Sequence, residues 1–116
     1  MAFYRDLTPY EYKPKPGQEA MLNVGWLAWG HAFNRGPVSD EFASTLQKLA
    51  ESPVNLCRGF HICDLCRSRD DAPRGNGEVR VRVASGVIYA APALIWHYVA
   101  EHQYLPPQEF IDAVLG

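Results

Sequence analysis

Cys63-Asp64-Leu65-Cys66 and, further on, His97-Tyr98-Val99-Ala100-Glu101-His102 decide how this chain is read. A C-x2-C pair lets two thiolates point at one ion from a tight turn, while neighbouring backbone N–H groups bond their sulfurs. A tetrahedral zinc ion then needs two more nitrogen or sulfur ligands. The H-x4-H pair supplies them. C-x2-C, two strands and a helix with two histidines is the order of a ββα zinc finger. Residues 57–103 are therefore expected to form a zinc-binding ββα element, with Cys63, Cys66, His97 and His102 holding a structural Zn2+.

Two features strain the match. Thirty residues, 67–96, separate Cys66 from His97, whereas a small finger uses about twelve to fifteen. Loop length costs free energy only logarithmically, so the site survives the longer gap. Residues five apart on an ideal helix also differ by about 140° around its axis. The two imidazoles meet only if the last turn widens, and Gln103-Tyr-Leu-Pro-Pro107 ends the helix just after His102. A rival set, Cys57, His61, Cys63 and Cys66, gathers three thiols and one imidazole without the helix. In a strand, however, His61 and Cys63 would point to the same side.

Working outward, Glu78 to Tyr89 reads as a hairpin turning at Ser85-Gly86. Val79, Val81 and Val83 face inward, and Arg80 and Arg82 face solvent. Pro92 opens a helix from Ala93 to about His102 with an apolar stripe of Leu94, Ile95, Tyr98 and Val99. Pro106-Pro107 opens a third helix carrying Phe110, Ile111 and Val114. Upstream, Ser39 caps a helix from Asp40 to Glu51, with Phe42, Leu46 and Leu49 at helical spacing. Met21 to Trp29 reads as a strand with a bulge at Gly25. Residues 1–19, rich in Tyr and Pro, read as an arm packing on the body. The expectation is a single α+β domain over 1–116, with a small antiparallel sheet and about three helices.

At 116 residues, 47% hydrophobic and 21% charged, the composition is that of an ordinary globular domain. The net charge of -2 gives no reason to expect a polyanion partner. Arg58, Arg67, Arg69, Arg74, Arg80 and Arg82 make the region around the cysteines locally basic, which keeps a nucleic-acid binder as an alternative. The N-terminus lacks the apolar core of a signal peptide, and the apolar stretch Val87–Tyr98 is far short of a membrane span. Three cysteines clustered between Cys57 and Cys66 suit a metal site in a reducing cytoplasm better than a disulfide framework.

Enzyme readings find less support. The C-x2-C pair is followed by a polar loop rather than by the helix of a redox dithiol. His97 to His102 matches neither H-E-x-x-H nor H-x-x-E-H, and the deaminase H-x-E pattern is absent. Two thiolates with two imidazoles fill zinc's coordination positions and leave none for water. His31, flanked by Trp26, Trp29 and Phe33, could line an aromatic groove with Tyr4, Tyr10 and Tyr12. An enzyme using His31 or the Cys63/Cys66 dithiol is the remaining alternative. The leading reading is a non-enzymatic binding or interaction module with an unknown protein partner and no membrane.

Tyr4-Arg-Asp-Leu-Thr-Pro-Tyr10, Asn23-Val-Gly-Trp-Leu27, Arg58-Gly-Phe-His-Ile-Cys63-Asp-Leu-Cys66 and Tyr89-Ala-Ala-Pro-Ala-Leu-Ile-Trp-His97 through Pro107 run over most of the chain. Together they resemble a family of small uncharacterised bacterial proteins. That resemblance implies a bacterial source and solubility; it brings no established activity with it.

Overall fold

Period-two alternation builds the centre of the molecule. A computed structural model describes residues 3–9, 21–54, 61–63, 65–66, 74–75 and 77–116. In it, β1 (Met21–Asn23), α1 (Asp40–Ala50), β2 (His61–Ile62), β3 (Arg74–Gly75), β4 (Glu78–Arg82), β5 (Ile88–Pro92), α2 (Ile95–His102) and α3 (Gln108–Leu115) follow one another. Three helices accompany a three-stranded sheet of order β1-β5-β4 and a two-stranded β2–β3 ribbon, an α+β fold.

β4 and β5 pair antiparallel, from Glu78↔Pro92 to Arg82↔Ile88. Val79 is buried and Val81 and Val83 are half-buried, while Arg80 and Arg82 are exposed, as the alternation predicts. Gly86 takes φ +96 at the turn, where its N–H donates to the Val83 carbonyl. The sheet is not wholly antiparallel: β1 joins β5 in parallel, Leu22 opposite Tyr89. Parallel neighbours need a long crossover, and the chain between β1 and β5 is long enough to include α1 and the hairpin partner β4.

Three expectations are corrected. The strand expected over Met21 to Trp29 ends at Asn23. Gly25 adopts φ +77, and its N–H donates to Asp6 Oδ1 at 3.0 Å, so the backbone turns away from the sheet. Pro92 does not open a helix: it is the last residue of β5, opposite Glu78, and α2 starts at Ile95. A proline lacks the ladder donor and is tolerated at such a strand end. Leu49 is 37% exposed, so the buried face of α1 rests on Phe42 and Leu46.

Ser39 caps α1 through its Oγ, which accepts from the Phe42 N–H at 3.1 Å. Phe42 meets Phe110 of α3 edge-on, and Phe110 meets Tyr89 of β5 in the same way. The stripe Leu94, Ile95, Tyr98 and Val99 buries α2 in the same core. Residues 3–9 run beside β1, with Leu7 N–H donating to Asn23 O and Asn23 N–H to Thr8 O. The rest of the N-terminal arm, 10–19, lies outside the described residues. Among those described, no helix is long and apolar enough to cross a membrane.

Candidate metal centre

Cys63 follows β2 directly, and the ribbon pairing His61↔Gly75 and Ile62↔Arg74 fixes its start. Its Sγ accepts from the backbone N–H groups of Leu65 and Cys66, the arrangement a C-x2-C turn is expected to make. Gly75 backs onto Ala93 and Leu94, where an added Cβ would stand 3.4–3.5 Å from their side chains. The ribbon therefore sits beside the start of α2, and the cysteine turn faces the helix.

The stripe that buries α2 leaves His97 and His102 toward that turn. His97 is 6% exposed and His102 is half-buried. The helix closes on a left-handed Gln103, φ +57, whose N–H donates back to the Tyr98 carbonyl five residues earlier. This is the wide terminal turn that an H-x4-H pair requires. The two rings lie 4.9 Å apart at 81°.

The four side chains converge. Cys66 Sγ is 3.2 Å from His97 Nε2 and 3.6 Å from His102 Nε2. Cys63 Sγ is 3.4 Å from His102 Nε2, and the two Nε2 atoms are 3.2 Å apart. All four donor atoms lie within 4.8 Å of one another, a group able to hold one metal ion.

Burial favours the neutral form of this group. It pushes the Cys63 thiol up to about 11, and the Cys66 side chain adds to the rise. It lowers His97, with His102 lowering it further and Glu101 opposing. Burial lowers His102 as well; Glu101 opposes and the Arg35 guanidinium reinforces. Two Nε2 atoms this close need a proton or a cation between them. A divalent cation would reverse the thiol's preference outright.

The remaining candidates lie elsewhere. Cys57, Arg58, Arg67 and Arg69 are outside the described residues, so the rival ligand set falls there with Cys57. His31 is not among the converging ligands and stacks on Phe3, with centroids 3.9 Å apart and planes at 9°. Arg80 is bound to Glu78, Nη2 to Oε1 at 3.1 Å. Sequence reasoning missed the β2–β3 ribbon: β2 falls inside what reads as the cysteine-rich turn, 57–66, and β3 inside what reads as polar loop, 67–77. It also missed Arg35, whose effect on His102 has no local signal.

A family model described as a domain of unknown function, DUF7919, matches residues 2–115. No curated protein and no solved structure matches the chain.

Proposed function

The chain belongs to the DUF7919 family, a domain of unknown function, and from that premise we propose that it is a non-enzymatic binding or interaction module built around a structural Zn2+. Cys63, Cys66, His97 and His102 are its ligands. The observation that carries the reading is the spacing of their donor atoms. A tetrahedron with Zn–S bonds of about 2.3 Å and Zn–N bonds of about 2.0–2.1 Å has sulfur–nitrogen edges of about 3.5 Å and a nitrogen–nitrogen edge of about 3.3 Å. The sulfur–nitrogen approaches of 3.2, 3.4 and 3.6 Å and the nitrogen–nitrogen approach of 3.2 Å have the size of such edges.

Two thiolates with two imidazoles suit zinc by softness and by geometry. The set is complete at four, so it leaves no position for a water nucleophile. That supports a structural role over a hydrolytic one. A reducing cytoplasm would keep the thiols available. We take residues 1–116 as one domain acting on a protein partner; the overall charge of -2 and the Glu78 clasp on Arg80 speak against a polyanion.

Elemental analysis of protein purified without added metal tests the assignment. One zinc per chain is expected. Cys63→Ser and Cys66→Ser each abolish retention, and His97→Ala and His102→Ala greatly weaken it. Stoichiometric zinc in the double histidine variant would reject this set in favour of Cys57 with His61.

A further inference from the structure

Away from the cysteines, a cleft of about 520 Å³ opens between residues 3–6 and 31–34. Its volume is in the range of small-ligand sites. Among the described residues, four rings line it, Phe3, Tyr4, His31 and Phe33. Phe3 and His31 are already stacked in parallel, and His31 is exposed. A preformed stacked pair can be extended by another planar ring at little cost in side-chain order.

Among the described residues, the charge around the cleft is unbalanced. Asp6 lines it, but Oδ1 accepts the Gly25 N–H and Oδ2 accepts the Tyr104 hydroxyl at 2.7 Å. The carboxylate is thus turned to the protein. Arg5 lines the opening and is exposed, and Arg35 sits 4.8 Å over the Phe33 ring. Asn34 adds an amide able to donate and accept. Stacking rings, guanidinium groups and an amide together recognise a flat heteroaromatic ring carrying an anion.

We propose that this cleft binds a mononucleotide, its base stacked on the Phe3–His31 pair and its phosphate held by Arg5. The site is separate from the metal centre and stands whether or not zinc is the ion there.

The test is titration of the full chain, as purified, with the 5′-monophosphates of adenosine, guanosine, cytidine and uridine, and with adenosine and inorganic phosphate alone. Binding is read by the fluorescence of Trp29, 76% exposed and two residues before His31, and by NMR shifts at residues 3–6 and 31–34. At least one monophosphate is expected to saturate and to move those signals. Adenosine should bind about tenfold or more weakly than its monophosphate, because a charge-assisted contact is lost. Inorganic phosphate should not saturate. Arg5→Ala should bring monophosphate and nucleoside to similar affinity. His31→Ala should weaken both about fivefold or more through the lost stack. His31→Phe, which keeps a ring, should restore binding and guard against a folding artefact. No saturable binding by any of the four monophosphates overturns the proposal. So does binding that shifts signals elsewhere, or a single-stranded oligonucleotide that occupies the cleft when mononucleotides do not.

Discussion

Tyr104 shows how much one side chain carries. It is fully buried, meets Phe33 edge-on, and donates its hydroxyl to Asp6, ninety-eight positions away in the chain. Burial, with the Asp6 charge and hydrogen bond behind it, raises the phenol well above its usual 10.0. A raised folded-state value means that stability from the neutral phenol is complete below pH 10 and is lost as pH rises further. Tyr104→Phe is expected to cost about 1–3 kcal/mol at neutral pH by stripping a donor from Asp6. Urea unfolding at pH 7 and pH 11 checks this: the gap between wild type and variant should narrow at the higher pH. An unchanged gap would mean that the phenol's ionisation is not linked to folding. Gly25 is the second such position. It combines φ +77 with a Cβ site only 2.7 Å from Ile95 Cδ1. Gly25→Ala therefore meets both backbone strain and overpacking, and should destabilise by about 2–4 kcal/mol in denaturant titration.

At the scale of elements, α1 and α2 differ in what holds their starts. α1 has the Ser39 cap and two acids, Asp40 and Glu41, in its first turn. Ser39→Ala should lower stability by about 1 kcal/mol, read as a shift in urea midpoint. α2 has no side-chain cap and is only eight residues long, too short to persist without tertiary support. It is held by its buried stripe and, in our reading, by the ion at its C-terminal half. The cysteine turn, the ribbon and α2 thus form one mechanical unit, although the chain between Cys66 and Ile95 passes through the whole β4–β5 hairpin. Metal binding should displace thiol protons, since burial keeps Cys63 protonated up to about 11 without a cation. A pH-indicator dye in weakly buffered solution should record proton release on zinc addition, and Cys63→Ser should abolish it.

Across the whole molecule, the end of α2 ties the metal centre to the cleft between residues 3–6 and 31–34. The residue after His102, Gln103, accepts the Gly36 N–H at 3.0 Å; Tyr104 holds Asp6; Leu105 N–H donates to Asn34 O at 2.9 Å. Both walls of the cleft are thereby anchored just beyond a proposed metal ligand. Chelation is expected to lower the melting temperature, because binding free energy of several kcal/mol enters the folding equilibrium. It should also speed amide exchange at residues 3–6 and 31–36 before it reaches Phe42 and Phe110, which pack on each other and are not ligands. A melting temperature unchanged by verified metal loss would refute a structural ion. Exchange that rises uniformly would refute the mechanical link.

Much of this protein was legible in its residues because the signals are local. The Val79–Val81–Val83 alternation, the Ser39 cap and the Leu94, Ile95, Tyr98, Val99 stripe each follow from backbone periodicity, which a short window of sequence displays. The donor types at positions 63, 66, 97 and 102 are visible in the same way, as chemistry at a stated spacing. Other features depend on where distant segments meet. The parallel pairing of β1 with β5 depends on a crossover that no local pattern encodes. The early end of β1 depends on Asp6 capturing the Gly25 N–H from another segment. The wide last turn of α2, which lets two histidines five apart share one point, is set by Gln103 in a left-handed conformation, with its own carbonyl accepting from Gly36 and Leu105 N–H donating to Asn34. The shape of the Phe3–His31 cleft, likewise, follows from Tyr104 fixing Asp6. Residue type sets which contacts are favourable, but long-range pairing selects among them, because each such contact repays its loop-closure entropy only when the rest of the core is in place.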